Sequence, residues 1–363
     1  MKYSILIFFA LLIIISCAKS SNTDFDREPV ANLIIENDKV ICEFCDGFGS
    51  IIETYENQIF VGGEKKIWVF ERNGQTTSLF QEIDLANVGS LNSIKAADGS
   101  LFLGLIDDEG TGRVRQYTLN NTEWQFTKDF QVGRNQDNFG NDIAIKDTLM
   151  IIGASAIWDE SFSIPNKDEG SFYIFGNKGG DWIQTQEFYS ENRSPDDHFG
   201  KDVIIADNFV VVTGLSIPMH VYEFENTEWN LASVENNIVP ADIDNNGNTF
   251  LYYSEMLGLQ SFSMNPNGSI SPITINANLD LGLGLQFYGD SMSMTQDHAL
   301  IATLGGHEVY LLQLVGNEWV LKKTLAPGNE PQSKYSGLKL TPEQALIGGI
   351  SSDGVSYLFF ENF

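Results

Sequence analysis

Few residues of this 363-residue chain have the types and spacing that chemistry needs. The richest set of oxygen ligands is Asp242, Asp244 and Asn246, followed by Gly247, in DIDNNG. Calcium takes six to eight oxygens, usually with an acid late in the binding loop. The later positions here, Phe250 and Tyr253, supply no such acid, so a hairpin turn rich in Asn and Gly is the stronger reading. No cofactor is expected. The histidines His198, His220, His298 and His307 carry no motif, and His220 alternates with strand residues as a packing residue would. No G-x-S-x-G, H-E-x-x-H or phosphate loop occurs. The acid pairs Asp107-Asp108 and Asp196-Asp197 have the residue types for glycoside hydrolysis, but paired acids in the turns of an acidic chain are ordinarily solvated. The residues point away from an enzyme.

Residues 1–16 read as a signal peptide. Lys2 gives the positive start, and the run Ile5 to Ile15 is apolar but too short to cross a bilayer. Ile14-Ile15-Ser16-Cys17 then resembles a bacterial lipoprotein lipobox. The resemblance implies cleavage before Cys17, a lipid on its thiol, and residues 17–29 as a flexible tether. The acids soon after Cys17, in SSNTDFDRE, resemble the surface-export signals of some Bacteroidetes-type lipoproteins. The expected location is therefore the bacterial outer membrane, lipid-anchored, at the cell surface or the periplasmic face.

Loss of residues 1–16 removes one lysine, leaving 20 basic and 49 acidic residues, a formal charge of 20 − 49 = −29. Such a surface repels phosphates, which excludes nucleic acid as a partner and limits membrane contact to the lipid. Cys42 and Cys45 remain, as ICEFC. No second pair completes a four-ligand zinc site and the compartment is oxidising, so a local disulfide or two structural thiols are expected.

The elements that must position these residues are short strands. In DNFGNDIAIKDTLMIIGAS (137–155) an alternating strand, the turn Asp147-Thr148 and a second apolar strand follow one another. After a polar insert, Ser171 to Phe175 and Ile183 to Tyr189 supply a third and fourth. Four strands joined by turns make one antiparallel sheet that cannot bury both faces alone. The grammar recurs, with start glycines at 49, 89, 140, 200, 289 and 337 and a degenerate unit at 239–278. Six steps over 337 − 49 = 288 residues average 48, a propeller-blade spacing. Three third strands end in similar turns, NNTEW (120–124), ENTEW (225–229) and GNEW (316–319).

These units predict an all-β chain with a single seven-bladed β-propeller of four-stranded antiparallel blades at 30–363. The seventh unit lacks its fourth strand, so Val30–Val40 is expected on the outer edge of the last blade, where it closes the ring. A monomer follows. The pair Phe139-Gly140 with Gly153-Ala154-Ser155 resembles the FG-GAP repeat of integrin alpha heads and many bacterial surface proteins, and Phe199-Gly200 and Phe48-Gly49 match in part. The resemblance implies a propeller that binds a partner.

Strands alternate in direction, so the loop between second and third strands shares a face with the blade-to-blade connections. That face carries the insert 155–169 and the connections 134–138 and 190–198, whereas 276–289 is apolar enough to pack across the ring. Trp158 and Phe162 are expected as aromatic anchors, with Arg134, Asp159, Glu160, Arg193, Asp196, Asp197 and His198 around them. The function expected is binding or adhesion toward a protein or glycan. The alternatives are a hydrolase of surface polysaccharide or another polymer, and an accessory subunit of an outer-membrane complex.

Overall fold

Two-residue turns set the architecture. Asp98, Asp147, Asp207 and Gly247 each open such a turn with φ of +49°, +54°, +48° and +57°, a region that Asp and Gly tolerate. The computed structural model describes residues 32–36, 38–132, 137–155, 170–190, 197–215, 217–277, 279, 292–302, 308–325, 334–351 and 353–363. Each turn joins the innermost strand of a sheet to its second strand, and a third and outer strand follow.

Blade one comprises Ile51–Tyr55, Gln58–Gly62, Lys66–Asn73 and Thr76–Asp84. Blade two comprises Ser90–Ala97, Ser100–Ile106, Gly112–Asn120 and Glu123–Phe130. Blade three is Phe139–Lys146, Leu149–Ala154, Ser171–Lys178 and Asp181–Tyr189, and blade four is Val203–Ala206, Phe209–Val212, Met219–Glu225 and Glu228–Glu235. Blade five is Asp242–Asn246, Thr249–Ser254, Gly258–Met264 and Ile270–Asn276, and blade six is Met292–Met294, His298–Ala302, Val309–Val315 and Glu318–Leu325. Lys334–Leu340, Gln344–Ile350 and Ser356–Asn362 begin blade seven. The inner strands touch in that order and the seventh touches the first, which closes a ring. The expected propeller is present.

Ring closure differs in detail from the expected strand. Val30–Val40 is not one strand: Lys39–Glu43 pairs antiparallel with Ser356–Asn362 as the fourth strand of blade seven, and Asn32–Ile35 folds back on it as a fifth. Alternation explains the choice. Val40 and Cys42 are wholly buried with Leu358 and Phe360 of blade seven and with Phe48, Ile59 and Trp68 at blade one, whereas Ile34 and Ile35 stay exposed. Cys42 and Cys45 are disulfide-bonded at the end of this closing strand.

The Phe-Gly and Gly-Ala pairs have a packing explanation. Phe139 and Phe199 are fully buried; Phe139 sits edge-on to Tyr173, and Phe199 to Phe172. Gly200 adopts φ +88°, and its carbonyl would lie 2.1 Å from a Cβ placed on Gly153. The glycine that starts one blade therefore docks on the second-strand glycine of the blade before it, and any side chain at Gly153 would push them apart.

Tryptophans join the blades at the rim. Trp124 leads the outer strand of blade two, packs on Phe60 of blade one and donates its Nε1–H to Gln58 Oε1 at 2.9 Å. Gln81 of blade one accepts Trp124 N–H at 2.7 Å and donates to Trp124 C=O at 3.0 Å. Gln186 and Trp229 repeat this clip between blades three and four at 2.7 and 3.0 Å. Between blades five and six the backbone itself does it, because Thr274–Asn276 pairs parallel with Glu318–Val320.

Candidate functional site

Side chains alternate along each inner strand, so every second residue faces the axis. Together these strands line a central channel of about 760 Å³. At matching positions near the ends of the inner strands they present Glu53, Lys95, Ala144, Ile204, Asp244, Ser293 and Lys339. Two residues before these, the next layer includes Ser93, Asp142, Asp202 and Asp242.

Most of these polar groups reach across to the neighbouring blade. Asp142 Oδ2 accepts Val203 N–H at 2.8 Å, Asp244 Oδ2 accepts Met294 N–H at 2.8 Å, and Ser293 Oγ accepts Leu340 N–H at 2.9 Å. Ser93 Oγ donates to Gly140 C=O at 2.8 Å. Backbone groups that lack a ladder partner on this side are thereby satisfied.

Charge in the channel is paired but unevenly placed. Glu53 lies between Lys339 Nζ at 2.6 Å and Lys95 Nζ at 3.7 Å. Burial works to raise the Glu53 carboxyl, but the two lysines outweigh it and hold it below the usual range. Lys201 Nζ sits 3.0 Å from Asp202 and donates to Ala241 C=O at 3.1 Å. Burial disfavours its charge, yet Asp202, Asp242 and Asp142 together raise its pKa. Burial, with Asp202 nearby, pushes Asp142 up to about 6, and burial also raises Asp244.

The sequence candidates meet different fates. Cys17, Arg134, Trp158, Asp159, Glu160, Phe162, Arg193, Asp196 and His307 lie outside the described residues, as does nearly all of the 276–289 connection. Asp197 and His198 are anchors at the root of a loop: Asp197 Oδ2 accepts Ser190 Oγ–H at 3.0 Å, and His198 Nδ1 lies 3.1 Å from Ser155 C=O. Asn138 Nδ2 also donates to Ser155 Oγ at 3.3 Å, so the ends of all three connections converge on one face. His220 is buried and packs on Phe199.

DIDNNG forms the inner strand of blade five and the start of its turn. Asp242, Asp244 and Asn246 belong to the inner strand of blade five, Asp244 is engaged by Met294, and Asn246 ends the strand at the turn. Among the described residues no group of three or more His, Cys, Asp or Glu is arranged to hold a metal. The acid pair at 107–108 is a turn device: Asp107 Oδ1 accepts the N–H groups of Glu109 and Thr111 at 3.0 and 2.9 Å, and Asp108 is almost fully exposed.

The face that carries the second-to-third-strand loops also holds exposed apolar side chains. Met256 and Leu257, 91% and 58% exposed, form the tip of the blade-five loop, and Leu215 is exposed on the adjacent blade-four loop. Phe44, 64% exposed, lies on the same face where the closing strand leaves blade seven.

Residues 131–175 match the FG-GAP repeat family. This segment contains the best of the Phe-Gly and Gly-Ala pairs, and the fold around it is a β-propeller. No curated protein matches the chain in sequence. Among solved structures, a β-propeller domain from Myceliophteria thermophila aligns at TM-score 0.62 and 8% identity, covering 92% of this chain and all of its own. A functionally unknown protein of Desulfotomaculum acetoxidans aligns at TM-score 0.58 and 15% identity, covering 82% of this chain and 95% of that one. A putative 6-phosphogluconolactonase of Bacteroides fragilis aligns at TM-score 0.54 and 9% identity, covering 77% and 84%. At these identities the similarity concerns the fold alone.

Sequence reading missed Glu53, Lys95, Asp142, Lys201, Asp202 and Lys339. The signal was available in the turns. Counting three and five residues back from the first residue of each two-residue turn brings the channel-lining positions of blades one to five into register.

Proposed function

We propose that this propeller is a binding module that docks a protein partner on its loop-bearing face, and that a lipid on Cys17 holds it at the bacterial outer membrane. The observation that carries the reading is the Met256-Leu257 tip beside Leu215. Large apolar side chains at this exposure, on loops rooted in a rigid ring, suit an interface better than a surface left in water. Trp158 and Phe162 of the insert 155–169 are proposed as further contacts. The propeller fold and the FG-GAP match support binding as the general role. The chain's formal charge of −28 favours a partner whose rim is basic.

The test is recovery of partners from surface-labelled cells with the wild-type chain and with Met256→Asp/Leu257→Asp. At an anchoring pair the double substitution should weaken partner affinity at least about thirtyfold, roughly 2 kcal/mol, and leave the melting temperature unchanged. Equal recovery by both proteins would place the interface elsewhere.

A further inference from the structure

Among the described outer strands of the blades, all but one are protected against the addition of a further strand. Those of blades one, two, three, four and six each carry a β-bulge, with Phe80, Thr127, Thr185, Ala232 and Lys322 as the extra residues. Each of these strands also holds at least two charged residues. The outer strand of blade five has no bulge, but blade six covers Thr274–Asn276 and Pro272 removes a donor ahead of it. Bulges, charges, proline and cover are the usual means of keeping a sheet edge from pairing. Asn32–Ile35, the outermost strand of blade seven, has none of them. Its ladder to Lys39–Glu43 runs without a register shift, and NLII is uncharged. The backbone shows which groups stand open. Glu36 N–H donates to Lys39 C=O at 2.9 Å. Alternation along an antiparallel pair then turns the N–H and C=O groups of Leu33 and Ile35 away from Lys39–Glu43, and no described strand lies beyond them.

We propose that Asn32–Ile35 takes up an extended segment of another protein, apolar at its centre and basic at its ends, as a sixth strand of blade seven. Main-chain hydrogen bonds to Leu33 and Ile35 set its register, and its apolar side chains cover Ile34 and Ile35, which are exposed on opposite faces of the sheet. Charge selects the partner. The hairpin 32–43 holds Glu36, Asp38 and Glu43 against Lys39, a sum of 1 − 3 = −2, on a chain whose formal charge is −28. A basic segment is drawn to this edge, whereas a second copy of the chain is repelled. The site lies on the rim and does not depend on the loop face.

The test titrates the whole protein with the peptide acetyl-Lys-Val-Thr-Val-Thr-Val-Lys-amide, and with its counterpart carrying Glu at both ends, and follows binding and amide exchange. The lysine peptide should bind with a Kd below about 1 mM and slow exchange of the Leu33 and Ile35 amides at least tenfold. The Glu-ended peptide should bind at least tenfold more weakly. Ile35→Pro removes one outward N–H and leaves the ladder to Lys39–Glu43 its donors. It should weaken binding of the lysine peptide at least tenfold at an unchanged melting temperature. Absence of binding at millimolar concentration overturns the proposal. So does binding that leaves both amides unprotected or does not distinguish the two peptides, results read on the wild-type protein and untouched by any folding defect of the variant. Self-association of the chain that Ile35→Pro abolishes would make the occupant a second copy and overturn the basic partner.

Discussion

Both carboxylate oxygens of Asp142 accept backbone N–H groups, from Ile143 and Val203, each at 2.8 Å. Burial and the neighbouring Asp202 nevertheless push its pKa up to about 6 from an ordinary 3.8. A carboxyl with a raised folded-state pKa binds its proton in the native chain before the unfolded one. Its contribution to stability therefore grows as pH falls from about 7 toward 4 and is lost as pH rises through 6. Asp142→Asn keeps an acceptor without the charge. The difference in melting temperature between variant and wild type should favour the variant at pH 8 and shrink toward pH 4. A difference that does not change over this range would remove Asp142 as its source.

At the scale of elements, the rim clips can be tested singly. Gln186→Ala deletes both side-chain hydrogen bonds to the Trp229 backbone and should cost about 1–3 kcal/mol in denaturant unfolding. Lys146→Ala, which removes a solvent-exposed ion pair with Asp207 between the same two blades, should cost less than about 1 kcal/mol. Equal losses would mean that the clip adds nothing beyond a surface pair. The strands themselves were legible because Asp147-Thr148 and its counterparts punctuate apolar alternation that only a sheet can use. The closing strand was misplaced because residues 30–40 read as continuous β-former, although the turn at Glu36–Lys39 splits them. Burial of Val40 and Cys42 then decides which half enters the ring. The channel charges were hidden for another reason. Each is a single polar residue in an otherwise ordinary strand, and only the ring brings Lys339 to Glu53 across 286 positions of sequence (339 − 53).

For the whole molecule, the first and last described strands meet in one blade. Deletion of residues 39–43 removes Val40 and Cys42 from the core shared by blades seven and one and bares the edge of Ser356–Asn362. The expected outcome is a chain that aggregates or melts well below the wild type, since several kcal/mol is a large part of a domain's stability. Deletion of residues 32–35 alone removes the largely exposed fifth strand and should be tolerated. If both deletions melt alike, closure does not depend on Lys39–Glu43.

The parallel pairing of Thr274–Asn276 with Glu318–Val320 has a consequence for the protein's dealings with other molecules. A sheet margin is usually an invitation, since its unused donors and acceptors can recruit a strand from a stranger. Over this part of the circumference blades five and six answer each other's invitation. Any edge-to-edge polymerisation must begin elsewhere on the rim, at the outer strands of blades one to four or at the strand Asn32–Ile35, where Ile34 and Ile35 are exposed.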